Sequence, residues 1–204
     1  MESKELALTM VGSPPERVTA GGSVDSANIL LRARAGDRAA FNELILLHER
    51  RVLMTAWRLL GSKEDAQDAA QEVFLRLYKH IHRVDPARPL APWLYRITVN
   101  VCRDLYRQRR LADAELAEDV NPAALAWNPA AETLRIEQRQ VIALALQSLS
   151  EKERAAVVLR DIEGLSTAEV ADILGSREAT VRSQISMARV KIRKFIDRLE
   201  KKRT

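Results

Sequence analysis

Between Pro92 and Arg110, polar side chains recur at intervals of three and four: Arg96, Asn100, Arg103, Arg107 and Arg110. At about 100° per residue they share one helix face, with Trp93 at its upper edge. Leu94, Ile97, Val101 and Leu105 share another face of the same helix. A row of cations can track a phosphate backbone, and a large aromatic offers an unstacked base a platform. With a single amide in the row, the combination points to separated strands rather than an intact duplex alone. The competing reading is an arginine-rich solvent face with Trp93 half-buried in a bundle.

A second stretch, Gly164 to Arg193, carries a different chemistry. Ser166 followed by Glu169 has the spacing of a capping box. Val170, Ala171, Ile173 and Leu174 then form a short apolar helix that ends at Gly175, where Ser176 is expected to cap the next helix. On that next helix Val181, Ile185, Ala188, Ile192, Phe195, Ile196 and Leu199 form one core stripe. Ser183, Ser186, Met187 and Val190 lie opposite, flanked by Arg182, Arg189 and Arg193. This is the layout of a helix-turn-helix, whose second helix enters a major groove while flanking cations hold phosphates. An ordinary helical hairpin is the bland alternative.

The rest of the chain must position these two faces. Its 204 residues are 47% hydrophobic and 30% charged, enough for one or two small domains. Few glycines and prolines, and only 4% aromatics, favour helix over sheet. The net charge of +5 is unevenly placed: residues 177–203 hold ten Lys/Arg against three acidic residues, which suits a polyanionic partner. One cysteine, Cys102, excludes an internal disulfide framework and fits a reducing cytoplasm. No signal-peptide pattern opens the chain and no apolar run reaches membrane-spanning length, so a cytoplasmic protein without membrane insertion is expected.

Residues 1–26, with Gly12, Pro14, Pro15, Gly21 and Gly22, read as a disordered leader. Apolar stripes then mark a helix from Ser26, a long one ending at Gly61, and another opened by Ser62 and Asp65. On the last, Ala66, Ala69, Ala70, Val73, Phe74, Leu77 and Ile81 face inward, while Gln67, Asp68, Gln71, Glu72, Leu75 and Arg76 face out. Leu75 on that polar face hints at a partner surface. Asp65, Asp68 and Glu72 resemble metal carboxylates, but the matching Glu-x-x-His sets of a bundle metal site are missing from the sequence. His80 and His82 are two apart with no cysteine nearby and make a weak metal signal. No cofactor is expected. Residues 111–135 are acidic and interrupted by Pro122 and Pro129, and read as a flexible linker that includes Trp127. Ile136–Leu146 and the Ser150/Glu153 cap begin a C-terminal unit of four helices.

Three segments in this order resemble the extracytoplasmic-function sigma factors of bacterial RNA polymerase, over nearly everything from Asn28 to Leu199. DAQDAAQEVFLRLY is similar to the family's region 2.2, APWLYRITVNVCRDLYRQRR to regions 2.3 and 2.4, and LSTAEVADILGSREATVRSQISMARVKI to region 4.2. The resemblance implies an all-α fold of two small helical domains, at 27–110 and 136–204, joined by the acidic linker, with a helix-turn-helix in the second. It implies a promoter-specificity subunit with no active site of its own, which binds core polymerase through the β′ clamp and the β subunit. Asp68, Gln71, Glu72 and Leu75 would meet the clamp. Trp93, Arg96, Asn100, Arg103 and Arg107 would open the minus-10 element, Asn100 capturing a flipped base. Arg177, Thr180, Arg182, Ser183, Ser186, Met187 and Arg189 would grip the minus-35 duplex. A separate anti-sigma factor is the implied regulator. Gln184 and Met187 stand where the family usually has Arg, so the minus-35 sequence is not transferable from relatives. A stand-alone helix-turn-helix regulator of duplex DNA is the first rival, and a carboxylate-metal enzyme the second.

Overall fold

A computed structural model describes residues 20–115 and 141–203, and every regular element among them is helical. The N-terminal unit is built from α1 (Ala20–Arg34), α2 (Arg38–Leu60), α3 (Lys63–His80) and α4 (Leu90–Glu115), with a 3-10 turn at Ile81–Arg83. The C-terminal unit holds α5 (141–147), α6 (Glu151–Val157) widening into a π-helical stretch at Val158–Ile162, α7 (Thr167–Leu174) and α8 (Glu178–Arg203). Trp127 and the rest of 116–140 lie outside the described residues, as do 1–19.

The helix starts follow from local chemistry. Asp37 caps α2 by accepting from the Ala39 and Ala40 amides at 2.9 and 3.1 Å. These bonds and Arg32, whose Nη2 donates to Asp37 Oδ2 at 2.6 Å, hold its carboxyl below the usual range. Ser62 accepts from the Asp65 amide at the start of α3. Ser150/Glu153 and Ser166/Glu169 form complete capping boxes on α6 and α7.

Three boundaries differ from the sequence reading. α1 begins at Ala20, inside the expected leader, because its backbone stays helical through Gly21 and Gly22. α4 continues to Glu115, past the expected linker start at 111, since no proline or glycine stops it there. Ser176 does not cap α8. Its amide donates to Ala171 O at 2.9 Å and Gly175 N to Asp172 O at 3.3 Å, the paired bonds of a Schellman ending for α7. The first α8 bond runs from Val181 N to Arg177 O, which puts Arg177 at the cap. Gly175 is required for its backbone, φ 60° and ψ 41°, rather than for space, because a Cβ there meets nothing within 4 Å.

The inward stripes pack as one continuous core running through both units. Leu44, Leu77, Val73 and Val101 centre the N-terminal part, and Val158, Leu159, Val170 and Val181 the C-terminal part. α4 is buried on more than the expected side: Tyr95, Thr98, Val99 and Cys102 are buried beside Leu94 and Val101. The cause is the C-terminal unit, which seats against it. Burial pushes the Cys102 thiol up to about 12, so it stays protonated.

The two units meet through buried polar groups. Glu163, placed just beyond the π-helical turn, accepts from Thr55 Oγ1 at 2.8 Å, Arg58 Nη1 at 2.9 Å and Tyr95 O–H at 2.6 Å. Its side chain is only 5% exposed. Burial, then the neighbouring Glu163 charge, drives the Tyr95 phenol well above its ordinary value. Arg154, also buried, donates to Leu59 O at 2.6 Å, Gln147 Oε1 at 2.5 Å, Gln147 O at 3.2 Å and Leu149 O at 3.1 Å. Gln147 Nε2 reaches Arg58 O at 3.3 Å. Together Arg154 and Gln147 answer carbonyls that the last turn of α2 leaves open. Gly61, with φ 77°, permits this approach: a Cβ there would lie 2.6 Å from Gln147 Cδ.

Candidate nucleic-acid and partner interfaces

On α4, Pro92 sits in the first turn, where a missing N–H costs nothing. Trp93 is half-buried and packs against the core with its edge left open. Arg96, Asn100 and Arg107 are exposed and Arg103 is half-buried, so the expected stripe is present as a surface. Two of its cations are already engaged. Arg96 Nη2 donates to Asp172 Oδ2 at 2.5 Å and to Asp172 O at 3.2 Å. Arg103 Nε donates to Glu151 Oε1 at 2.7 Å. Among the described residues, Asn100 and Arg107 make no side-chain bond. The side chain of Arg110 lies outside the described residues.

On α3, Asp68, Gln71 and Leu75 point to solvent, and Glu72 is half-exposed with Arg76 Nε at 2.7 Å. Arg76 also reaches Asp104 of α4 at 3.6 Å, and Arg109 binds Asp65, tying this face to α4. Asp65 and Glu72 are thus ion-pair partners of arginines. Tyr78, 61% exposed, extends the apolar part of the face and stacks edge-on against Phe41 of α2 at 5.2 Å. Leu46 and Leu47 on α2 are also exposed, and the sequence reading passed over them. The signal was there: Ile45, Leu46 and Leu47 are consecutive, and one helix face cannot bury three in a row.

On α8, Val181, Ile185 and Ala188 are buried, which turns Ser183, Ser186, Met187 and Val190 outward. Arg177, Thr180, Arg182 and Arg189 are exposed around them. A shallow groove runs along this side past Thr167, Arg182, Ser186, Arg189 and Arg193. Arg182 Nη2 donates to Glu178 Oε2 at 2.7 Å within the helix. Arg189 grips Asp161 with Nη2 at 2.6 Å and Nε at 2.9 Å, which holds its guanidinium above its ordinary value. Lys191 Nζ reaches both Glu153 oxygens at 2.8 Å. Burial works to raise the Glu153 carboxyl, yet Lys191 and Ser150 hold it below its ordinary value. Gln184 is half-buried with its Oε1 enclosed and unpartnered among the described residues, so it faces sideways rather than along the groove floor.

The structure therefore places the three sequence-derived groups on three separate surfaces. It brings the α3 and α4 faces together within one unit and sets the α8 face on the other. No helix among the described residues is long and apolar enough to cross a membrane.

Comparison with known proteins adds an independent line. Residues 44–112 match the family described as Sigma-70 region 2, and residues 139–192 that described as Sigma-70, region 4. The chain is 39% identical over 167 residues to the ECF RNA polymerase sigma factor SigE of Mycolicibacterium smegmatis. That match covers 79% of this chain and 64% of the relative, so the chain spans just under two thirds of that protein. It is 33% identical over 178 residues to SigM of Mycobacterium tuberculosis, covering 86% of this chain and 88% of the relative. The E. coli ECF RNA polymerase sigma-E factor is 33% identical over 167 residues, covering 78% and 87%. Among solved structures, CnrH in complex with the cytosolic domain of CnrY aligns at TM-score 0.63 and 27% identity, over 84% of this chain and 97% of that one. The sigma factor RpoE in complex with the anti-sigma factor NepR, from Bartonella quintana, aligns at 0.64 and 24%, over 77% and 96%, and shares the fold.

Proposed function

The chain belongs to the extracytoplasmic-function group of the sigma-70 family, and from that premise we propose how its surfaces divide the work of starting transcription. It acts as a promoter-specificity subunit: it binds core RNA polymerase, recognises minus-35 and minus-10 elements, and promotes strand opening. The polymerase supplies the catalysis and this chain supplies none. The domains run over 27–110 and 136–204, with 111–135 as the connector and 1–26 as a leader.

The observation that carries the reading is the pairing of two unlike nucleic-acid faces in one chain. The α8 face is a ridge of small and medium side chains, Ser183, Ser186 and Met187, rimmed by Arg177, Thr180, Arg182 and Arg189, a shape for a major groove. The α4 face presents Asn100 between Arg96, Arg103 and Arg107, with Trp93 alongside, a set for a backbone whose bases have been freed. A duplex-only regulator has no use for the second face. On α3, Asp68, Gln71, Glu72 and Leu75 form the dock for the β′ clamp, with Tyr78 as its apolar extension, while the connector runs past the β subunit. A separate anti-sigma protein restrains the factor, as in the Bartonella complex.

Run-off transcription by purified core polymerase, on fragments of the source genome, tests this. Initiation at defined sites only when the protein is added is the expected result. Duplex binding with no core-dependent initiation overturns it in favour of the stand-alone regulator.

A further inference from the structure

Taking that assignment of the α4 face as given, the C-terminal unit occupies part of the surface that DNA needs. Asp172 sits at the last turn of α7, and it offers Arg96 both its carboxylate and its main-chain carbonyl. That is a carboxylate set on the negative end of a helix, a fair imitation of a phosphate. Glu151, in the first turn of α6, does the same for Arg103. These two cations flank Asn100 at four residues before and three after, so both neighbours of the base-capturing position are bound before any DNA arrives.

The ionic contacts cannot hold the units together. Arg96 and Asp172 are largely exposed, and each such pair is worth at most a factor of about five in an equilibrium. The holding is done one layer deeper, by Glu163 on Thr55, Arg58 and Tyr95 and by Arg154 on the end of α2. That layer is polar, with groups that water can satisfy on both sides once the units part, which is the character of an interface made to open.

We propose that the free protein rests in a closed state in which its own C-terminal unit is the competitor for the single-strand face, with Asp172 and Glu151 standing in for phosphates and Glu163 as the latch. Release of Glu163 frees Arg96 and Arg103 together. The α8 face points away from the closure and is open in both states.

The test uses the full chain without polymerase. Fluorescence anisotropy measures binding to a random-sequence single-stranded DNA pool for the wild type, for the double variant Glu151→Gln with Asp172→Asn, and for Glu49→Gln with Glu64→Gln, which removes the same charge away from the interface. Removal of both competing carboxylates should tighten single-strand binding about tenfold over the charge control. The latch variant Glu163→Gln should do the same and increase the radius of gyration in small-angle scattering. Equal affinity of the interface and control variants overturns the proposal, whether or not the latch variant folds. The family assignment is decided separately: if neither wild type nor variants give core-dependent initiation, that assignment fails, while the ratio of single-strand affinities still decides the closure.

Discussion

The α4 and α8 faces use the same side chain, arginine, in opposite settings. On α8 each engaged cation is held from within its own unit: Arg182 by Glu178 one turn earlier, Arg189 by Asp161, and Lys191 by Glu153. On α4 the engaged cations, Arg96 and Arg103, are held by the other unit. Local ion pairs orient a side chain without depending on tertiary arrangement, so the α8 face is ready whenever its unit is folded. The α4 face depends on where the C-terminal unit sits. A duplex reader and a strand opener in one chain are thereby given different conditions of access, and each difference can be tested by breaking one contact.

Arg154 makes the largest break. It is 7% exposed and joins the end of α2 to α5 and α6 with bonds to carbonyl oxygens. Arg154→Met leaves several buried acceptors without donors, each costing roughly 1–3 kcal/mol where water cannot reach. Urea denaturation should show a loss of about 3 kcal/mol, within that range for one or two unanswered carbonyls. The loss should be accompanied by a broken or biphasic transition as the two units uncouple. A single transition with unchanged midpoint would mean that the shared core alone joins the units.

Asn100→Ala comes next. Asn100 is exposed and unbonded among the described residues, so its removal costs the fold little. As the base-capturing group it should lower open-complex formation by about 2 kcal/mol, or roughly thirtyfold, on the scale of a specific base contact. Polymerase binding, through α3, should not change. Permanganate footprinting of the melted region reads the first quantity and co-elution with core the second.

Acid separates the units in another way. His48, on α2, is held neutral by burial, then by the Arg51 charge, with its value lowered from 6.5 to about 4. Its folded value lies below its unfolded one, so the unfolded chain takes up the extra proton as pH falls through this window. Stability should therefore drop by about 2 kcal/mol between pH 7 and pH 5, and His48→Gln should remove most of that slope. Glu153 of the C-terminal unit has the opposite sign of shift from its ordinary value of 4.5: its contribution is present above that value and lost only as pH falls below it. Equal slopes in wild type and His48→Gln would show that His48 is hydrated in the native protein.

These tests also separate what could be read from the chain from what could not. The stripes on α3 and α8 were legible because each helix buries one face at a fixed period: Ala66, Ala69, Val73 and Leu77 are all buried, and so are Val181, Ile185 and Ala188. The caps at Ser62, Ser150 and Ser166 were legible because they depend on two residues three apart. The interface between the units was not. Thr55, Arg58, Tyr95, Arg154 and Glu163 come from three distant segments, and a polar side chain buried by long-range contact leaves no period behind. Ser176 misled for a local reason: a serine after a helix-ending glycine suits either the end of one helix or the start of the next, and here the Schellman geometry took it.

The smallest expected effect bears on the α8 face alone. Met187 is 52% exposed on the outward ridge, next to Ser186 and without a polar group to offer a base. Apolar contact with a thymine methyl is the readout such a side chain supports, whereas an arginine there can bond both acceptors of a guanine. Met187→Arg should therefore change which minus-35 sequence is preferred, by about 1 kcal/mol or fivefold toward guanine at one position, the low end of a single bidentate contact. Selection of binding sites from a randomised duplex, performed with wild type and variant, measures that shift. A gain in affinity that is uniform across sequences would instead place residue 187 beside the phosphates. Because α8 faces away from the closure, the same shift should appear in a background carrying Glu163→Gln. If unlatching the units altered the duplex preference as well, the two faces would be coupled, and the independence inferred from their ion pairs would be lost.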